Sequence, residues 1–291
     1  MIYDSLIYAS LSLQDIDPNN KHFRLLTQLS LKPEISLESG WKNHTPAQFQ
    51  RMAAIIQDFF PAAAVHLPYG ELDFGRGDNF QAKKDLLLQA LDLANLFAPR
   101  HLIGHPSYQS LTDSILGPQK FTGLKRDNLA GPRHIPAPKW LDRSLSVWGE
   151  ILRNTEARLY LENTREHSPE PLMILLRQLG HRASFCLDFG HWFHYAMGLH
   201  WDNLGLWLTM TSSHLAHAHV HDNNGEGDQH LAVGQGRINY DQVRRLLLER
   251  DLRPSLTLEN HNPIELKASY DILAKNPLWL EPEKPLDRKV S

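Results

Sequence analysis

Short apolar or β-branched runs recur along this chain with amphipathic stretches between them. The pattern predicts eight strands, at Leu6–Leu13, Glu34–Glu38, Ala62–Leu67, His101–His105, Arg158–Glu162, Ala183–Asp188, Leu215–His221 and Ser255–Glu259. Helices are expected between and after them. Thr45-Pro46, Ser168-Pro169 and Asn262-Pro263 each set a capping side chain before a proline in the first turn, where the missing N–H costs nothing. Asn239 is expected to cap a helix over Tyr240–Asp251. In Pro171–Leu179 the residues Leu172, Leu175, Leu176 and Leu179 fall at helical spacing, and Gly180 supplies a stop.

Strand and helix alternating along the whole length predict a parallel sheet, and eight repeats predict its closure into a (β/α)8 TIM barrel, an α/β fold. Such barrels run to about 250 residues or more around one core. The 291 residues are therefore read as one domain, 1–291, with 276–291 as a C-terminal extension rich in Pro, Glu and Lys. The irregular stretch Pro106–Pro138 reads as a long loop insertion after the fourth strand.

Composition removes several function classes. Hydrophobic residues at 42% and charged residues at 22% are ordinary for a globular protein, and no apolar run is long enough to span a bilayer. Met1–Leu13 carries Asp4 and no basic segment, so it reads as a first strand and not as a signal peptide. Cys186 is the single cysteine, which rules out an intramolecular disulfide and fits a cytoplasmic setting. A formal net charge of −3, with no long basic stripe, disfavours duplex nucleic acid as a partner, because such binding rests on many contacts from Lys and Arg to phosphate. The 17 histidines are the anomaly.

Their positions give them meaning. In a barrel the functional groups sit at the C-terminal ends of strands and in the loops that follow. Here the third strand ends in His66, the fourth in His105, the fifth in Glu162, the sixth in Asp188 with His191 beyond it, the seventh in His219 and His221, and the eighth in Glu259. The loop after the seventh adds Asp228 and His230. A lone His or Glu at a strand end is usually a surface or capping residue, but six consecutive strands deliver one to the same rim. Several acids gathered out of water repel one another unless cations neutralise them, so the cluster points to a metal. Mixed imidazole nitrogen and carboxylate oxygen, with no thiolate, suits Zn²⁺, Mn²⁺, Fe²⁺ or Co²⁺. Alternation puts His217, His219 and His221 on one side of their strand, with His217 deeper and His221 close to the rim. Cys186 shares the side of Asp188 and is assigned to packing.

From about His66 to Glu259 the chain resembles the endonuclease IV and xylose isomerase-like superfamily of TIM barrels, which includes the AP endonuclease family 2 and sugar phosphate isomerases or epimerases. The resemblance is carried by Glu162-Asn163-Thr164, Cys186-Leu187-Asp188-Phe189-Gly190-His191, His219-Val220-His221-Asp222-Asn223, and Asp228-Gln229-His230 followed by Gly234-Gln235-Gly236. It implies that His66, His105 and Glu162 hold one ion. Glu162 would bridge to a second, shared with Asp188, His219 and Glu259, and a third would take His191, Asp228 and His230. The simpler isomerases of this kind use chiefly Glu162, Asp188, His219 and Glu259 around one ion. The glycine-rich loop after the first strand that is typical of the DNA-repair members is not apparent in Tyr8–Asp15, which argues further against a DNA substrate.

The segment Lys120–Arg143 is basic and carries Lys125, Arg126, Arg133 and Trp140, which are assigned to binding an anionic small-molecule substrate, the alternative being a solvated insertion whose charges touch nothing. The expectation is a divalent-metal-dependent hydrolase of a phosphate ester, with Zn or Mn, one to three ions, and Glu162 and Glu259 as catalytic residues. The alternative is a metal-dependent sugar or sugar phosphate isomerase or epimerase, in which Glu162 and Glu259 exchange a proton with carbon.

Overall fold

The computed structural model describes residues 7–69, 79–106, 138–164, 166, 168–196 and 203–275. Among them, eight parallel strands close into a barrel in chain order: β1 (Ile7–Ser12), β2 (Lys32–Ser36), β3 (Ala64–His66), β4 (His101–Gly104), β5 (Arg158–Glu162), β6 (Ala183–Asp188), β7 (Leu215–Val220) and β8 (Ser255–Leu258). β8 pairs back onto β1 through Tyr8 and Thr257. The helices are α1 (Lys21–Gln28), α2 (Pro46–Phe59), α3 (Phe80–Asn95), α4 (Pro138–Arg153), α5 (Glu170–Leu179), the single turn α6 (Phe189–His191), α7 (Asn203–Thr211), α8 (Tyr240–Leu248) and α9 (Pro263–Ala274). None of them is long and apolar enough to cross a membrane.

The helix starts rest on the side chains that the sequence marks. Thr45 and Gln48 form a reciprocal capping box at α2. Asn239 accepts the Gln242 N–H, and Asn262 accepts those of Ile264 and Glu265. Several bounds differ from expectation by one to three residues, and α5 and β2 are among them. α5 begins at Glu170, after a Pro169 cap, with the Ser168 hydroxyl accepting the Glu170 N–H at 3.3 Å. β2 lies two residues earlier than the expected Glu34–Glu38, taking in Lys32 and Pro33 and ending at Ser36.

Side chains alternate across each strand, and the two faces differ in chemistry. Leu11, Ile35, Val65, Leu102, Leu161, Leu187, Val220 and Leu258 are buried in the main apolar core, together with helix residues such as Phe23, Phe49, Leu91, Trp148, Leu175 and Trp207. The other face lines the barrel interior, where branched aliphatic side chains usually dominate. Here it is polar. Tyr8 and His101 meet edge to face at 5.0 Å, His101 and His217 lie 4.8 Å apart, and Glu34 accepts a hydrogen bond from Thr257 across the barrel. These residues are all buried, so the polar interior needs internal partners, and it leads directly to the C-terminal mouth.

Candidate metal centre

Glu162, at the end of β5, is 1% exposed and organises the mouth. Its Oε2 lies 3.0 Å from His105 Nε2 and 3.1 Å from His66 Nε2. Its Oε1 lies 3.2 Å from His191 Nδ1 and 3.4 Å from His219 Nδ1. Each oxygen thus faces its own pair of imidazoles. On the far side, His219 Nδ1 is 3.4 Å from Glu259 Oε2 and 3.7 Å from Asp188 Oδ2. Towards the rim, Asp228 Oδ2 lies 3.1 Å from His191 Nε2 and 3.3 Å from His230 Nε2. All nine residues singled out as ligands therefore gather in one region, and His221 joins them at 3.3 Å from Asp188 Oδ2, its ring stacked on His230 at 4.0 Å.

Backbone carbonyls orient several of these rings. His66 Nδ1–H donates to Leu67 O, His191 Nδ1–H to Asn163 O, and His230 Nδ1–H to Glu259 O, each at 2.9 Å. A carbonyl can only accept, so these three rings carry a proton on Nδ1, and Nε2 faces Glu162 in His66 and Asp228 in His191 and His230. The asparagines that follow the strand-end acids tie neighbouring strands together. Asn163 exchanges two hydrogen bonds with the Asp188 backbone, Asn223 donates to Gly190 O, and Asn260 donates to His230 O and Leu231 O. Asp222 gathers the loop beyond β7 by accepting the N–H groups of Asn223, Gly234 and Ile238. That accounts for Gly236, because a Cβ there would collide with Asp222 and the Asn223 carbonyl.

The charges balance internally. Burial pulls His66 down, but Glu38 and Glu162 outweigh it and raise the imidazole to about 9. Burial likewise opposes Glu259 and Asp228 at His230, which ends at about 10. His191 is lifted against burial by Asp188, Asp228 and Glu162, and His219 is lifted against burial by Cys186, Glu162, Glu34 and Glu259. In turn, burial would raise Glu162 and Asp228, yet the surrounding imidazoles hold both well below the carboxylate range. Burial pushes the Cys186 thiol far up, so it offers no thiolate.

These residues fit a divalent ion. His219 Nδ1 and Glu259 Oε2 are buried with no hydrogen bond of good geometry among the described residues. Metal–ligand bonds of about 2.0–2.2 Å set neighbouring ligand atoms of a tetrahedron about 3.3–3.6 Å apart, the range in which His219 Nδ1 stands from Glu162 and Glu259. His66, His219 and Glu259 form one compact ligand group, and His221, His230 and Glu259 another.

Sequence reasoning misses Glu34. It is 2% exposed on β2, with Oε1 3.0 Å from His219 Nε2 and Oε2 accepting the Thr257 hydroxyl at 2.6 Å. A charged residue repeating two positions after Lys32 is the only signal of an inward polar face there. The substrate-binding assignments fare differently: Lys125, Arg126 and Arg133 lie outside the described residues, whereas Trp140, on α4, is 4% exposed within the apolar core. A ring so enclosed has little surface to offer a substrate.

The family model described as xylose isomerase-like TIM barrel matches residues 34–282. The chain belongs to this family. It is 29% identical over 130 residues to protein MJ1614 of Methanocaldococcus jannaschii, an alignment covering 42% of this chain and 49% of that protein, so the chain spans about half the length of that relative. Among solved structures, a Thermus thermophilus protein, TTHB071, soaked with ZnCl2, superposes with a TM-score of 0.66 at 21% identity over 92% of this chain and 96% of that one. A D-tagatose 3-epimerase-like protein gives the same TM-score at 18% identity, again over 92% and 96%. At these identities the likeness is one of fold.

Proposed function

We propose that this chain is a divalent-metal-dependent isomerase or epimerase acting on a small polyhydroxylated substrate. The observation that carries this reading is the pair Glu162 and Glu259, which reach His219 Nδ1 from β5 and β8, each at 3.4 Å. Zn²⁺ or Mn²⁺ held by Glu162, Asp188, His219 and Glu259 would polarise a carbonyl and its adjacent hydroxyl, acidifying the hydrogen on the carbon beside them. With Oε2 of Glu259 turned to the ion beside His219 Nδ1, its other carboxylate oxygen would take that proton, and Glu162 would return it on the other side. His66 and His105 hold Glu162 by its Oε2 and so fix its orientation. The fold shared with a D-tagatose 3-epimerase-like protein supports the same class.

Sequence alone favours a phosphate ester on the strength of the basic segment Lys120–Arg143. Trp140 packs into the core, Arg143 lies over the Phe80 ring, and Lys125, Arg126 and Arg133 lie outside the described residues, so the described part of that segment adds no support for a phosphate ester. A metal-dependent hydrolase is therefore the second reading. One observation favours it: the two oxygens of Glu162 face different histidine pairs, as those of a carboxylate bridging two ions would.

Deuterium exchange separates the two. Metal-loaded protein incubated with ketohexoses in D2O should place solvent deuterium on carbon and yield an epimer or aldose. Phosphodiester cleavage with no carbon-bound deuterium would overturn the isomerase reading and leave the hydrolase.

A further inference from the structure

Glu34 is a fully enclosed carboxylate that no step of the proposed reaction uses, and it sits one layer below the mouth: it pairs in register with Ala64, two positions before Ser36 and His66. A carboxylate in such a place must be paired and hydrogen-bonded, because the cost of removing it from water is several kcal/mol. Its partners come from β7 and β8. Thr257 Oγ1 donates to Glu34 Oε2 at 2.6 Å. A threonine hydroxyl has one proton, so at the 2.8 Å contact between Thr257 Oγ1 and His217 Nε2 the hydroxyl accepts and the imidazole donates. His217 Nδ1 is in turn held by Ser255 Oγ at 2.6 Å. Hydrogen bonds thus run in one direction through the barrel interior, from His217 through Thr257 into Oε2 of Glu34, leaving Oε1 for His219 Nε2, which lies 3.0 Å away but off the line of a well-aligned hydrogen bond.

We propose that Glu34 is a positioning residue, which accepts a hydrogen bond from the Nε2–H of His219 and thereby presents the Nδ1 lone pair of that ring to the metal, with Thr257 and His217 as the prop that holds Glu34 in place. The inference rests on the metal reading above but not on the reaction class. His219 needs such a partner more than the other rings do. His66, His191 and His230 are oriented through Nδ1 by backbone carbonyls, with Nε2 facing Glu162 in His66 and Asp228 in the other two. His219 is reversed, with Nδ1 towards Glu162, Asp188 and Glu259, so its orientation depends on the side chain behind it. Partners of this kind, behind a ligating histidine, fix tautomer and ring angle, and their loss costs about 10–100-fold in metal affinity.

The test uses the full chain and Zn²⁺ alone, with affinity read by competition against a chromophoric chelator, and thermal unfolding in parallel. Glu34→Gln keeps the volume and removes the acceptor charge. It should weaken binding of the ion that His219→Ala also removes by about 10–100-fold. In the zinc-loaded parent protein, long-range ¹H–¹⁵N spectra should show His219 carrying its proton on Nε2, a signature that a merely space-filling Glu34 would not require. Should Glu34→Gln not fold, Thr257→Val and Thr257→Ser take its place, with weaker zinc binding expected for the valine variant and parent-like binding for the serine variant. Equal zinc affinity in the parent and Glu34→Gln, or equal affinity in the two Thr257 variants, or a proton on Nδ1 of His219, overturns the proposal. A parent protein that binds no zinc overturns the metal reading with it, so the two failures are distinct.

Discussion

His219 Nδ1 and Glu259 Oε2 lie 3.4 Å apart, both enclosed, and neither has a hydrogen bond of good geometry among the described residues. An unsatisfied polar atom costs about 1–3 kcal/mol, so two of them facing each other mark a place that a third atom completes. Zn²⁺ or Mn²⁺ should therefore stabilise the protein. At a free concentration 100-fold above Kd the gain is about 2.7 kcal/mol, or roughly 5–10 °C in Tm. Calorimetry before and after chelation measures it, and a Tm indifferent to both ions would remove the metal centre.

Glu162→Gln separates one ion from several. The substitution keeps the side-chain shape and its contacts with His66 and His105 while removing the charge that both faces share. If Glu162 bridges, the variant loses more than one equivalent of metal and activity falls at least about 10–100-fold. If it serves a single ion, elemental analysis finds a loss of one equivalent at most. Unchanged metal content with unchanged activity would reduce Glu162 to a polar strand end.

The barrel was legible because its outer strand faces are apolar in every repeat: Arg158–Glu162 and Ala183–Asp188 match their predicted bounds to the residue. The mouth was legible for a related reason, since the acids and histidines that end β3 to β8 interrupt those apolar runs at equivalent positions. Glu34 escaped because it opens the predicted second strand and candidate groups were sought at strand ends, whereas the interior of this barrel is itself polar and accepts Lys32 and Glu34 as inward residues. Trp140 was misjudged for the opposite reason. Its basic neighbours suggested a substrate surface, yet the amphipathic face of α4 buries it. The reaction class was hidden in the donor set, because the same imidazoles and carboxylates serve proton transfer at carbon and attack on phosphorus.

Gly190 is a packing requirement of the site. It lies in the α6 turn between Asp188 and His191, and a Cβ there would stand inside the His221 ring. Gly190→Ala must move either that ring or the turn that carries Asp188, at a cost of about 1–3 kcal/mol from overpacking and with loss of metal affinity. Gly205, within α7, provides the contrast: its added methyl would meet only the end of the Arg250 side chain at 3.3 Å. Gly205→Ala should be neutral, or stabilising by up to about 1 kcal/mol as a helix interior predicts. Parallel denaturation and zinc titration of both variants check the contrast, and equal behaviour would mean that the α6 turn yields freely.

The metal-free protein should lose stability as the solution becomes alkaline. His66 and His230 are raised to about 9 and about 10, against an unfolded value of about 6.5. A group with a raised folded pKa binds its proton more tightly in the native state. Its contribution is complete below about pH 6.5 and is lost as the pH climbs through the folded value. The window is therefore pH 7 to 10, with the steepest decline at its upper end. Glu162 and Asp228 are held below the carboxylate range, so they stay ionised throughout this window and add no slope of their own. An ion bound at the centre takes over the role of those protons in neutralising the carboxylates, so the decline should shrink in zinc-loaded protein. Tm measured at half-unit steps from pH 7 to 10, with chelator and with zinc, gives two curves that diverge as the pH rises. Two parallel curves would show that His66 and His230 neither carry protons in the metal-free state nor yield them to metal.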